Sequence, residues 1–378
     1  MSAQAHAQTP SAGDESVATW QPGASGVSPA PENAPAPDER DELEPSKRLS
    51  NTLIALGPGL VVRGSGQRAA GHGAAADALL ATELAGLGLV VVGLGGLVLT
   101  GASRYTAGPF AATMVVGGGL FATSYAADVY TTFRPDGTLR DPPTHAPVTV
   151  SEVGHRYVYD PQFRYRHFLY EALEARVGRL ALAPSAQFSL DDDNARLSGE
   201  LRVRLQGPLP DGPPATDGSY WDVGIGASHH RYASDGFRMD GGELFMRLRR
   251  DLDRYAPSLR GGFAEGALGI GLLRTSYDIP GTEVPADGST LLLAEFAFGA
   301  YFGDPDGVGG EAKLYYDHRH DGYAAGLLLT GLGSGVAGHF GFDLRGYFSE
   351  TFGVRLDAQV GSAYVAGLSL LLRQRGSE

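Results

Sequence analysis

From about residue 168 to residue 373, apolar side chains recur at every second position. Between Leu259 and Tyr277, Leu268, Ile270 and Leu272 share one parity, while Glu265, Ala267, Gly269 and Gly271 share the other. The next segment repeats the scheme, with Leu292, Phe296, Phe298 and Phe302 set against Glu295, Ala297, Gly299 and Tyr301. A side-chain period of two belongs to a β-strand with one apolar face and one small or polar face. Segments of this kind are centred on 168–177, 180–190, 196–205, 220–231, 243–250, 262–274, 291–302, 311–319, 323–330, 336–348, 352–361 and 364–373. That makes about twelve strands. It becomes about ten if the first two are one long strand and 323–330 is none, and even numbers are the habit of single-chain bacterial barrels.

The polar parity carries Arg196, Glu200, Arg202, Arg204, Asp222, Glu243, Arg247, Arg249, Glu265, Glu295, Glu311, Lys313, Asp317, Arg319, Asp343, Arg345, Arg355 and Asp357. The opposite parity carries Trp221, Val223 and Ile225, then Leu244, Met246 and Leu248, Phe340, Phe342 and Leu344, Val354, Leu356 and Val360, and Leu368, Leu370 and Leu372. A soluble β-sandwich also alternates, with its charges outside. Here the polar side is too rich in glycine, and mixes both signs on neighbouring strands too regularly, for an ordinary solvent face. It reads as the crowded lumen of an antiparallel transmembrane β-barrel, in which opposite charges pair and so offset their desolvation. Tyr316, Tyr347, Phe348, Tyr364 and Trp221 fall near strand ends, where aromatic girdles belong. Asp191–Asn194 and Ser349–Thr351 read as hairpin turns. The connectors 207–218, 277–288 and 304–309 are longer, and the segments 207–214 and 279–287 are expected on the extracellular side.

Upstream the period changes. Residues 1–48 form a tail rich in Pro, Ala and acid that cannot bury an apolar face and is expected to be disordered. Residues 49–133 are apolar and rich in Gly and Ala. A short helix ends at Gly57-Pro58-Gly59, and two long helices, 74–101 and 108–130, form an α-helical hairpin turning at Arg104 and Tyr105. Each run is long enough to cross a bilayer. Gly118, Ala122 and Ala126, and likewise Gly119, Thr123 and Ala127, repeat at four-residue spacing, a stripe that lets two helices approach closely. Glu83 admits two readings, a helix-end carboxylate at the membrane interface or a buried partner for Arg63 or Arg68. Residues 134–162 read as a linker, and 163–378 as the barrel.

Composition narrows the field. Of the 378 residues, 55 are glycine and only 19% are charged, yet mean hydropathy is just −0.12. Alternation hides a barrel's hydrophobicity from such averages. The net charge of −13 argues against nucleic acid as a partner. The absence of cysteine excludes thiolate catalysis, cysteine-ligated zinc and disulfides. No apolar leader core precedes the tail. Ala3-Gln4-Ala5 and Ala5-His6-Ala7 have the small-residue form of a cleavage site, so a leader already removed or a start placed late is expected.

Candidate chemistry is sparse. Ser228 and His230 share the inward parity, with Asp222 upstream on the same strand. Together they are the candidate nucleophile, base and orienter of a lipid-hydrolysing barrel, set against the commoner reading of a rim histidine. His229 precedes His230 at the same strand end, and His318 and His320 flank a tight turn; a metal site is the sharp reading of these histidines and loop histidines at a barrel rim the commoner one. Asp191-Asp192-Asp193 and Asp304-Pro305-Asp306-Gly307 lack EF-hand spacing and read as solvated turns. The glycine-rich stretches near Gly57, Gly64 and Gly93 lack the P-loop lysine and its strand–helix frame. No metal or cofactor is expected.

The region from about residue 168 onward resembles Gram-negative outer-membrane β-barrel proteins. Its final strand, Tyr364 to Leu372, resembles the C-terminal signal read by the barrel-assembly machinery, with Gly367, Leu370 and Leu372 in place, although the chain runs on through Arg373 to Glu378 instead of ending on an aromatic residue. The resemblance implies outer-membrane localisation, with membrane lipids and the assembly machinery as partners. The helical hairpin adds the expectation of a homo-oligomer. A non-enzymatic envelope role is expected, as a narrow channel or a structural scaffold. The rivals are an outer-membrane lipid hydrolase and a soluble β-rich binding domain tethered by the hairpin in the inner membrane.

Overall fold

The computed structural model describes residues 45–103, 105–134, 142–161, 166–233, 236–278, 286–303, 309–318, 323 and 338–376. The acidic tail, Arg104, Arg319, His320 and the 304–307 segment lie outside the described residues.

Twelve antiparallel strands close into a barrel: β1 (Thr149–Tyr159), β2 (His167–Val177), β3 (Leu180–Ser189), β4 (Ala195–Gln206), β5 (Tyr220–Arg231), β6 (Phe237–Asp251), β7 (Gly262–Tyr277), β8 (Asp287–Gly303), β9 (Gly309–Asp317), β10 (His339–Tyr347), β11 (Phe352–Val360) and β12 (Tyr364–Gln374). Each strand pairs with its neighbours in sequence, and β1 closes the ring on β12, from Thr149 opposite Gln374 to Tyr159 opposite Tyr364. Closure leaves no exposed strand edge.

The count of twelve agrees with the alternation, but its membership differs. β1 falls in the segment read as a linker, and β9 pairs directly with β10, leaving no place in the ring for a strand at 323–330. Most of that segment lies outside the described residues; Tyr323 itself is buried. β1 escaped notice because Ser151 and His155 occupy outward positions that other strands fill with apolar groups. β6 starts at Phe237 and not at 243, because the interruption of its alternation by Gly241 and Gly242 does not end the strand pairing.

In this meander, odd-numbered strands run away from the end bearing Thr149 and Gln374 (the terminal end), and even-numbered strands return to it. β4 therefore ends, and β5 begins, at the terminal end, whereas β7 ends and β8 begins at the opposite, distal end; most of 279–287 itself lies outside the described residues. The ends of the two connectors cannot share one side of a membrane. This corrects the expectation that 207–214 and 279–287 are both extracellular; length alone misled it, since strand parity fixes the side.

The outer wall is apolar, with Ile225, Leu244, Ile270, Leu314, Phe340, Leu356, Leu368 and Leu370 among its exposed side chains. Trp221, Phe348 and Tyr364 are exposed near its ends, but Tyr347 points into the lumen beneath the Arg373 guanidinium and does not belong to a girdle.

Upstream of the barrel lie α1 (Pro45–Leu56), a 3₁₀ turn at Pro58–Leu60, α2 (Ser65–Ala69), α3 (Gly73–Leu99) and α4 (Ala107–Phe133). α3 ends in a Schellman turn: Gly101, at φ +62°, donates to Val98 O and Ala102 donates to Leu97 O. The two long helices cross where Gly86 meets Gly117 and where Gly93 and Gly96 receive Met114 and Phe110. The proposed stripe divides differently. Gly118 has nothing near it, and Gly119 lies against Phe296 of β8, on the outer wall of the barrel. A buried polar knot ties the connecting loop to the hairpin. Asp128 accepts from the amides of Gly64 (2.9 Å) and Gln67 (3.1 Å), and Glu83 accepts from the amide of Arg63 at 3.0 Å. The Arg63 guanidinium is stacked over Phe121 and Tyr125. Of the two readings of Glu83, the structure selects the buried partner of Arg63. Arg68 pairs with Asp77 instead.

Candidate functional site

The lumen holds a cavity of about 1620 Å³ that reaches the terminal end, lined by eleven Arg and Lys side chains and eleven Asp and Glu side chains. Strand alternation puts these groups there, and pairing across strands arranges them in three clusters. In the first, Glu174 accepts from Arg176 (3.2 Å) and Arg202 (2.7 Å), Arg247 lies 3.9 Å from Glu200, and Arg204 grips Asp222 through two bonds of 2.8 and 2.9 Å. In the second, Arg249 bridges Glu265 (2.6 Å) and Glu311 (2.7 Å), while Lys313 bridges Glu265 (2.9 Å) and Glu295 (3.7 Å). In the third, Arg355 joins Asp343 and Glu152 at 2.9 Å each, Arg345 also holds Asp343, and Arg156 lies 3.5 Å from Asp357. Glu243 lines the same cavity. Charges drawn from water this far persist because the carboxylates of these clusters have cationic donors beside them.

Among the described residues, the charges assigned to the polar parity thus share one lumen. Glu152 and Arg156 on β1, Glu174 and Arg176 on β2, and the phenol of Tyr220 join them without having been expected there, and Tyr301, already on the polar parity, adds a second phenol. Tyr220 donates to Glu265 at 3.0 Å, and Tyr301 donates to Asp251 at 3.1 Å. The β2 pair carried a usable signal, since both residues sit on the inward parity of a strand already identified.

At the terminal end, the connector after β4 folds against the segment preceding β1. Ala215 N donates to Thr144 O at 2.9 Å, Gly218 N donates to Asp251 at 2.6 Å, and Arg204 donates to Pro208 O at 2.9 Å. Asp217 in this connector takes a hydrogen bond from Arg254 on the β6–β7 turn. Burial pushes the Asp217 carboxyl up, but the hydrogen bonds from Arg254 and Ser219 outweigh it and hold the group below the ordinary carboxylate range.

The distal end differs in chemistry. Val158, Phe168, Met239, Leu273 and Val365 turn inward from five strands and pack with Tyr232, Phe237, Tyr323 and Ala363 in a buried apolar cluster. None of these residues lines the charged cavity.

The candidate triad is not assembled. Asp222 is engaged by Arg204 near the terminal end of β5, whereas Ser228 and His230 lie toward the other end of that strand. His230 Nε2 hydrogen-bonds with Asn194 Oδ1 at 2.8 Å, and its ring stacks on Tyr232 with centroids 3.8 Å apart. Shared parity was right for all three, but the rise per residue of a strand separates Asp222 from His230 by far more than a hydrogen bond. His229 pairs with Asp240 and His318 with Tyr316. Asp191 accepts from the amide of His167 and Asp192 from that of Asn194, so these carboxylates shape a turn. Among the described residues no group of three or more His, Asp or Glu side chains is placed to hold a metal. Gly367 faces the lumen against Asp357, and Leu370 and Leu372 lie on the outer wall.

No family model matches the chain, and no curated protein matches it in sequence. Solved structures similar to it include the NanC porin (10% identity, TM-score 0.34, covering 60% of this chain and 99% of that one). The KdgM porin in complex with disordered oligogalacturonate is also similar (7%, 0.33, covering 59% and 98%). So is the outer-membrane protein Omp33 of Acinetobacter baumannii (12%, 0.31, covering 60% and 98%). The closed antiparallel twelve-stranded topology of this chain stands on its own strand pairing.

Proposed function

We propose that the chain is an outer-membrane β-barrel that is closed at rest and serves the envelope as a structural scaffold, with its terminal end toward the periplasm. The observation that carries this reading is the apolar cluster around Phe168 and Met239, lying across the distal end of a lumen whose charges are already paired with one another. A diffusion pore needs a continuous wetted path. Here the path meets apolar side chains from five strands, and the residues behind them are held by ion pairs that solute would have to displace. The apolar outer wall supports placement in a lipid bilayer, with membrane lipid and the barrel-assembly machinery as partners. No feature of Ser228, His230 and Asp222 favours lipid hydrolysis.

Two measurements test the reading. Membrane fractionation with heat modifiability on a gel is expected to place the protein in the outer membrane, as a band that shifts only on boiling. Purified protein in planar bilayers is expected to give no steady conductance. A steady ohmic conductance from the unmodified protein would overturn closure and establish a channel. Recovery in the inner-membrane or soluble fraction with no shift would overturn the outer-membrane barrel.

A further inference from the structure

We propose that the α3–α4 hairpin crosses the same bilayer as the barrel, alongside β8, with the outer face of α3 against lipid acyl chains. The inference rests on the reading of the barrel as a membrane protein, and goes beyond it by adding a helical element to the lipid-embedded part.

Three observations converge. First, α4 lies against the outer wall of the barrel. Gly119 is so close to β8 that a Cβ there would stand 2.8 Å from the Phe296 side chain, and Tyr130 meets Phe298 edge-on with centroids 5.7 Å apart. Phe298 is buried together with Ala127 of α4 and Ala75 and Leu79 of α3. The wall to either side is open: Ile270 on β7 is 61% exposed and Leu314 on β9 is 60% exposed. The hairpin therefore occupies, at β8, the zone that lipid would cover elsewhere.

Second, the length of α3 fits that zone. No charged residue follows Glu83 before the helix ends at Leu99. Those sixteen residues rise about 24 Å at 1.5 Å each, against an apolar band about 25 Å tall on outer-membrane barrels. The buried charges Arg63, Glu83 and Asp128 cluster toward one end of the hairpin. That is the terminal end of the barrel, since Arg134, just after α4, donates to Arg260 O on the β6–β7 turn.

Third, beyond Glu83 the face of α3 turned away from α4 is apolar and meets no partner among the described residues, with Val91 at 68% and Val98 at 72% exposure; the exposed Asp77 lies before that stretch, in the first turns of the helix. A helical stretch apolar on all sides, as 84–99 is, is stable in a protein core or in lipid. This one is not in a core, and its exposed side continues the apolar outer wall of the barrel.

The absence of cysteine makes single-site labelling clean. Spin labels on V91C, V98C, I270C and E350C in reconstituted full-length protein would be read for collisions with oxygen and with a polar nickel chelate. Ile270 reports the barrel wall, and Glu350, on the exposed β10–β11 turn, reports water. The expected oxygen-to-chelate ratio at Val91 and Val98 equals that at Ile270 and exceeds that at Glu350 about tenfold, because hydrocarbon excludes polar solutes. A high ratio at Ile270 with a low ratio at Val91 and Val98 would overturn the proposal and leave the barrel reading intact. Low ratios at all three would overturn the barrel reading itself. Exclusion of both reagents from Val91, with dipolar broadening between labels, would show a second copy seated on α3 and overturn lipid as the occupant.

Discussion

Arg249 and Glu265 stand directly opposite each other on β6 and β7, and the guanidinium Nε donates to the carboxylate at 2.6 Å. Each is also shared, Arg249 with Glu311 and Glu265 with Lys313, so the signs alternate along one continuous chain from Glu311 to Glu295. Removing a single carboxylate from such a chain leaves cations without compensation. Glu265→Ala is expected to destabilise the barrel by about 3–5 kcal/mol. Glu265→Gln should cost less, since its amide oxygen still accepts a hydrogen bond. The temperature at which the folded gel band converts to the unfolded one measures both. An unchanged conversion temperature in Glu265→Ala would show that the lumen pairs do not hold the barrel closed.

The barrel was legible because it repeats. Parity on β5 to β8 and β10 to β12 separates lumen from wall residue by residue, and the charges it assigns inward among the described residues line the lumen. Recognition failed where single positions broke the rhythm, at Ser151 and His155 on β1 and at Gly241 and Gly242 on β6. What alternation cannot report is height along a strand. Asp222 and His230 have the same parity and are remote, whereas Arg249 and Glu265 are distant in sequence and touch. For the same reason the apolar cluster at the distal end was invisible: its members are inward-facing residues that look like errors in a polar row until the register aligns them at one level. The hairpin was legible as two helices, but its contact with β8 was not, because Phe296 and Phe298 read as lipid-facing whether lipid or a helix covers them.

If that apolar cluster closes the lumen, thinning it should open a path. Phe168 is the aromatic anchor turned inward from β2, and it is 1% exposed. Phe168→Ala removes a buried ring at a cost of about 3–5 kcal/mol, and with Met239→Ala it should leave a wetted gap above the charged cavity. Single-channel recording is expected to show openings in the double variant that the unmodified protein lacks. A variant that remains folded and heat-modifiable yet silent would place the seal elsewhere.

The hairpin glycines give a paired test with opposite outcomes. A Cβ at Gly86 would lie 2.7 Å from Gly117 O, a backbone atom that cannot move without separating α3 from α4. At Gly88, two residues on, nothing lies within 4 Å. Gly86→Ala is expected to loosen the crossing. Gly88→Ala should be neutral or stabilising by up to about 1 kcal/mol, from helix propensity alone. Limited proteolysis of the 100–106 turn reports the difference. Equal cleavage of the two variants would mean that the close crossing contributes nothing to hairpin order.

The tie between Asp217 and Arg254 should give the terminal end an acid-sensitive latch. Asp217 is buried, and its carboxyl sits below the ordinary value because the hydrogen bonds from Arg254 and Ser219 outweigh desolvation. A carboxylate whose folded value is depressed stabilises the folded arrangement fully above its unfolded value, near ~4. That contribution fades as pH falls through the lower, folded value. The connector is therefore expected to stay pinned through neutral and mildly acidic solution and to loosen only in stronger acid. A label at Thr216→Cys should report low mobility down to that point and a rise below it. In Asp217→Asn the acid step should vanish, with mobility raised at every pH, because the neutral amide cannot replace the charge-assisted bond to Arg254. An acid step that persists unchanged in Asp217→Asn would assign the latch to another carboxylate, Asp251 first, since it receives the Gly218 amide from the same connector.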